Sequence, residues 1–161
     1  MSLTSILLGL GTKGAARRFD VATKDPLQTQ KDLMRMLIDK NAGTEYGRRY
    51  GFSSIRSFDD FQKQVPVVTY DDIREDMQRV LNGDPNILTA EAPVLFAQTS
   101  GTTGDPKYIP VTPTCQGRIH GDVMRTWMQH AYRAHRSIFS GKIVTLVSPA
   151  VEGHTPTGLP Y

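Results

Sequence analysis

The sequence predicts an α/β protein, with a helix-rich start followed by strands gathered around one polar loop. Three observations carry that expectation. Helix start signals recur through the first half, at Asp25-Pro26, Ser57 and Thr69. Two short β-prone segments flank a stretch crowded with hydroxyls and glycines between Phe96 and Thr112. A long capped helix then leads into Ile143-Val144-Thr145-Leu146-Val147, a continuous β-rich run of the kind buried on both faces of a sheet. Helix followed by buried strand is the unit of an α/β layer.

Composition bounds the answer. A chain of 161 residues can build one domain with a real core and is too short for two substantial ones. Apolar residues at 39% and charged residues at 22% describe an ordinary globular protein, and 19 basic against 16 acidic residues leave only +3. That excess is too small to imply a nucleic-acid partner, and no DNA- or RNA-binding motif accompanies it. The single cysteine, Cys115, excludes an internal disulfide framework and points to the reducing cytoplasm. The N-terminal ILLGL run lacks a cationic lead and a cleavage site, so no signal peptide is read, and no apolar stretch approaches membrane-spanning length.

Taken in order, residues 1–24 place Leu3, Ile6, Leu7 and Leu10 at helical spacing, interrupted by Gly9, Gly11 and Gly14, which predicts a short or mobile helix. Asp25 as N-cap, Pro26 at the first helical position and Gln28 in the capping-box place start a helix that runs to about Asn41 and buries Leu27, Met34, Leu37 and Ile38. Thr44 to Phe52 reads as a helical turn stopped by Gly51, its aromatics packing on the preceding helix. Arg48 and Arg49 suit an anion or, more simply, solvent. Ser57 with Asp60, and Thr69 with Asp72, place a hydroxyl three residues before a carboxylate, so the acid pairs Asp59-Asp60 and Asp71-Asp72 read as caps rather than as a catalytic acid and base. Pro66 holds Val65 to Val68 extended. A helix from Tyr70 buries Ile73, Met77, Val80 and Leu81 and stops at Asn82-Gly83.

After a turn at Asp84-Pro85-Asn86, Ala92 to Ala97 enters the polar loop as a strand and Tyr108 to Val111 returns from it. Thr112-Pro113 opens the longest helix, with Ile119, Val123, Trp127, Ala131 and Ala134 as its apolar stripe. The four histidines form no zinc-type cluster, so no metal held by protein ligands is expected. Cys115 near a helix start fits a reactive thiol or a small packing residue.

The loop itself, Thr99-Ser100-Gly101-Thr102-Thr103-Gly104-Asp105-Pro106-Lys107, has the composition of a phosphate cradle. Glycines let backbone approach closely, hydroxyls and amides donate to oxygens, and a lysine neutralises charge. It also has the composition of an ordinary polar turn. It is not a Walker A loop, because that spacing from Gly101 demands a glycine where Pro106 stands and a hydroxyl where Tyr108 stands.

This nonapeptide resembles the phosphate-loop signature of the adenylate-forming superfamily at every position from Thr99 to Lys107. Two further stretches, Phe61 to Leu88 and Ser148 to Tyr161, resemble the Gretchen Hagen (auxin-responsive) family of acyl-acid-amido synthetases within it. The residues that carry this are Val65, Pro66, Tyr70, Asp71 and Asp72, followed by Asn82, Gly83, Asp84 and Pro85. The Asp105-Pro106-Lys107 form of the loop is that of the wider superfamily and points to a bacterial-type or divergent member.

The resemblance implies an N-terminal portion of an adenylate-forming fold with an incomplete sheet. Residues 25–161 would form a partial adenylation domain, cut at its C-terminal end, after a leading segment 1–24. It implies that ATP and a carboxylic acid give an acyl adenylate, which an amine or amino acid converts to an amide. Thr99, Ser100, Gly101, Thr102, Thr103 and Gly104 would hold the phosphates, Lys107 would be the catalytic cation, and Mg²⁺ would arrive with the nucleotide. Val123, Met124, Arg125 and Trp127 are the acyl-pocket candidates, with core packing the competing role for Trp127. An acyl-coenzyme A ligase and a small non-catalytic phosphate-binding module are the alternative readings. A sheet deprived of neighbouring strands would also expose an edge open to self-association.

Overall fold

The computed structural model describes residues 3–100, 106–147 and 149–161, and the chain divides into two compact units. One comprises residues 1–29 and 114–149, the other residues 30–113 and 150–161.

The first unit is built on a helix pair. Helix α1 (Leu3–Ala22) runs unbroken for 20 residues, rather than as a short helix, and packs on α6 (Gly121–Ala134). Gly9 belongs to a buried face of small residues, while Gly11 and Gly14 are exposed. Gly9, Thr12, Ala15 and Ala16 are turned inward, whereas Ile6, Leu7 and Leu10 are exposed. At Gly9 a Cβ would lie 2.6 Å from Tyr132 Cε1, so the missing side chain is what admits the tyrosine ring. The Thr12 hydroxyl meets the Gln129 side-chain amide at 2.8 Å in the buried seam. At the margins Arg18 pairs with Asp122 at 2.7 Å, and Asp20 with Arg133 at 2.9 Å. Tertiary partnership outweighs intrinsic propensity here.

The same pairing overturns the expected face of α6. Thr126, Gln129 and Tyr132 are buried, and Ile119, Val123 and Trp127 are exposed. An α1 surface of glycine, threonine and alanine accepts a tyrosine flanked by small polar groups, leaving the apolar stripe outside. A π-helical turn, Cys115–His120, separates the Thr112-Pro113 opening from α6, and α6 is 14 residues long, so α1 is the longer helix. The run Ile143 to Val147 has no regular secondary structure and is exposed, not a buried strand. A strand needs a neighbour to satisfy its backbone, and among the described residues none pairs with this one.

The second unit holds two small cores. Helix α2 (Pro26–Asn41) begins as predicted, with Asp25 accepting the Gln28 amide at 3.0 Å. Ile38 is buried and Met34 half-buried, but Leu27 and Leu37 are exposed. Helix α3 (Glu45–Arg49), capped by Thr44, and Gly51 with φ +61° bring Tyr46, Tyr50 and Phe52 onto Ile38 and Ile55. Helix α4 (Phe58–Gln64) carries the full Ser57–Asp60 capping box. The Thr69–Asp72 pair forms only half of one, because Asp72 accepts from both the Thr69 amide and hydroxyl at 2.7 Å. The expected helix from Tyr70 therefore opens as a 3₁₀ turn, Asp71–Ile73, before α5 (Arg74–Leu81). Met77, Val80 and Leu81 of α5 join Ile87 and Phe96 in the second core, with Gly83 at φ +95° ending the helix.

Strands β1 (Leu95–Gln98) and β2 (Tyr108–Val111) pair antiparallel, with Gln98 opposite Tyr108. β1 is shorter than the Ala92 to Ala97 segment expected and ends one residue later. The C-terminal segment folds back on itself, bridging His154 to Pro160, and Pro160 C=O accepts the Phe96 amide at 2.9 Å.

Candidate functional site

The polar loop leaves from β1 and returns into β2, and its neck is closed by two hydrogen bonds. Thr99 N–H donates to Lys107 C=O, and Lys107 N–H donates to Thr99 Oγ1, each at 3.0 Å. The side-chain oxygen thus takes the place of the backbone carbonyl in the last rung, which ends the ladder and lets the chain diverge. Thr99, Ser100 and Lys107 are exposed at this mouth. Gly101, Thr102, Thr103 and Gly104 lie outside the described residues.

The antiparallel alternation makes Gln98 and Tyr108 a non-hydrogen-bonded pair, so the Tyr108 amide points off the outer edge of β2. There it donates to Tyr70 Oη at 3.2 Å. Two residues on, Pro110 has no N–H to offer, as suits an edge strand. Above this edge the Lys107 ammonium lies 5.6 Å from the centre of the Tyr70 ring, and the Arg74 guanidinium 5.5 Å from the same ring. Tyr108 meets Tyr161 edge to face at 5.1 Å, and burial, reinforced by Tyr161, pushes its phenol above the usual tyrosine range. Tyr70, Arg74 and Tyr161 had no predicted role in the site. The signal for Tyr70 was its fixed place in the Val65-Pro66 element, whose spacing delivers that ring to the loop exit.

The two carboxylates beside Tyr70 are already engaged. Asp71 pairs with Arg74, and Asp72 accepts from Thr69, whose amide in particular holds the Asp72 carboxyl below its ordinary range. The Lys107 ammonium and the exposed Thr99 and Ser100 hydroxyls at this mouth can bind an anion. Among the described residues no group of three or more His, Cys, Asp or Glu could hold a metal ion.

The acyl-pocket candidates stand in the other unit, on α6. Val123, Met124 and Trp127 are exposed, Trp127 at 60%, which removes core packing as its role. Arg125 donates to Asp122 at 3.0 Å and to Gly117 C=O at 2.9 Å, and it shares the Asp122 carboxylate with Arg18. It also borders an open groove of about 480 Å³ formed with Leu7, Leu8, Gly11, Thr12 and Met128.

Comparison with known proteins gives these features a family. An indole-3-acetic acid-amido synthetase of Arabidopsis thaliana, GH3.3, is 29% identical over 154 residues, covering 91% of this chain and 25% of the relative. A jasmonoyl-L-amino acid synthetase of Nicotiana attenuata, JAR4, is 33% identical over 94 residues, 57% of this chain and 16% of its own. The solved structure of the acyl acid amido synthetase AtGH3.15 in complex with 2,4-DB superposes with a TM-score of 0.77 at 28% identity, covering 94% of this chain and 27% of that one. The chain thus spans about a quarter of the length of the fullest of these matches. The GH3 family N-terminal domain matches residues 15–161, and the chain belongs to that family, known in words as Gretchen Hagen.

Proposed function

We propose that this chain is the phosphate-binding N-terminal part of an ATP-dependent acyl-acid-amido synthetase. The observation that carries the reading is the loop neck, where Thr99 and Lys107 close a strand-loop-strand turn and leave hydroxyls and an ammonium at its mouth. Thr99 and Ser100, with Gly101 to Gly104, would hold the β- and γ-phosphates of ATP. Lys107 would offset charge gathering on pyrophosphate as the carboxylate attacks the α-phosphorus. Mg²⁺ would enter on the nucleotide. Val123, Met124 and Trp127 offer the acyl group an apolar face, and Arg125 a cation for its carboxylate. An amine or amino acid then discharges the adenylate as an amide.

Residues 25–161 form, in this reading, part of an adenylation domain that the longer parent completes, and residues 1–24 lead into it. The Asp105-Pro106-Lys107 form of the loop supports a bacterial-type member, and the cysteine usage supports a cytoplasmic one. Nucleic acid and membrane play no part in the reaction. The full-length protein should exchange labelled pyrophosphate into ATP only when a carboxylic acid from a suitable panel is present. Lys107→Ala should lower that exchange by about 100-fold, the scale of losing one charge-stabilising group. Exchange that is absent, or indifferent to Lys107, removes the reading. Whether amino acids or coenzyme A discharge the adenylate separates amide from thioester formation.

A further inference from the structure

We infer that Tyr70 is a positioning residue for Lys107 and for the exit of the phosphate loop, an inference that rests on the phosphate reading above. Two contacts made by one side chain carry it. The Tyr70 hydroxyl accepts the outward-facing Tyr108 amide at 3.2 Å, which fixes where β2 begins, directly after the lysine. The ring of the same residue lies 5.6 Å from the Lys107 ammonium. A tyrosine 38 positions away in sequence thereby sets both the backbone from which Lys107 projects and the direction its side chain takes.

The choice of an aromatic ring has a chemical reason. A carboxylate placed here would orient the lysine by pairing with it, and so would cancel the charge that a phosphate needs. A ring attracts the ammonium through its quadrupole and leaves the full positive charge in place. The neighbouring acids are kept off the lysine, Asp71 by Arg74 and Asp72 by Thr69. Arg74, itself 5.5 Å from the ring centre and paired with Asp71, fastens Tyr70 from α5. Pre-orienting a long side chain in this way lowers the entropy lost when phosphate arrives.

The test is a double-mutant cycle in the full-length protein, reading the affinity for inorganic pyrophosphate and for MgATP by calorimetry. Lys107→Ala should weaken both by about 10-fold. Tyr70→Leu should weaken both by about 5-fold in the native background and hardly at all in the Lys107→Ala background, since its effect runs through the lysine. Tyr70→Phe, which keeps the ring, should retain most of the affinity. A purely structural tyrosine would instead give equal losses in both backgrounds, and that result overturns the inference. A measurement free of any disruptive change is the NMR shift of the Lys107 ε-methylene protons, identified by their disappearance in Lys107→Arg. The ring should move them upfield of the other lysines, and an ordinary shift also overturns the inference. If Lys107→Ala weakens binding but Tyr70→Leu does not, the positioning role alone falls. If the native protein binds neither pyrophosphate nor MgATP, the phosphate reading fails and takes this inference with it.

Discussion

Gly47 shows how little room a single residue has in the second unit. It sits inside α3 and is buried, and a Cβ there would lie 2.1 Å from the Asn41 carbonyl oxygen, a backbone atom that cannot turn aside. Alanine in a helix is worth about 1 kcal/mol over glycine, but overpacking against backbone costs about 1–3 kcal/mol or more, so the steric term wins. Gly47→Ala is expected to lower the urea midpoint with an unchanged denaturant slope, and an equal or higher midpoint would show that α3 can move away from the end of α2. Arg79 makes a different residue-scale point. Its guanidinium holds both Glu45 oxygens, at 2.7 and 2.8 Å, and reaches Asp84 at 3.1 Å, which ties α3, α5 and the following turn together at the surface.

At the scale of elements, most of the short helices are held at their ends. Asp60 is kept below the ordinary carboxylate range first by the Arg56 amide and then by Ser57, Asp72 by the Thr69 amide, and Glu45 by Arg79. A carboxylate whose pKa is lower folded than unfolded contributes stability that is complete above the unfolded value and lost as pH falls through the folded one. The melting temperature should therefore hold steady from neutral pH down to about 5 and drop below about pH 4. The double variant Asp60→Asn, Asp72→Asn should melt lower at pH 7 and show a shallower acid decline. An unchanged acid profile would mean that these caps are not what titrates.

At the scale of the molecule, the polar economy is nearly closed while the apolar one is not. Among the described residues no buried side-chain nitrogen or oxygen lacks a hydrogen bond. Yet Val144 and Leu146 are essentially fully exposed, and apolar residues on the outer faces of α1 and α6 in the same unit are exposed as well. Apolar surface of this extent favours association. The sequence predicts self-association at an exposed sheet edge; we propose instead that any association passes through the Ile143 to Val147 run, which is exposed and not a strand. Val144→Lys with Leu146→Lys should shift the chain toward monomer in light scattering while moving the melting temperature by no more than about 2 °C, as befits surface positions. Unchanged mass would exclude that run as the contact. None of the described helices is long and apolar enough to cross a membrane.

Local chemistry made the helix starts and the two strands flanking the polar loop legible, because caps, prolines and glycines act on the backbone within a few residues. Asp25, Ser57 and Gly83 do in the fold what their residue types require. The faces of α1 and α6 were not legible, since periodicity states that a helix has an apolar side but not which side its partner accepts. Ile143 to Val147 shows the same limit, since β-branched composition makes a segment ready to be a strand and only a neighbour with free hydrogen-bonding groups makes it one. By itself the sequence determined the family and the two strands that flank the polar loop. The tertiary structure alone decided that Tyr70, distant in sequence, stands at the exit of that loop, because a contact across 38 residues depends on how the whole unit folds.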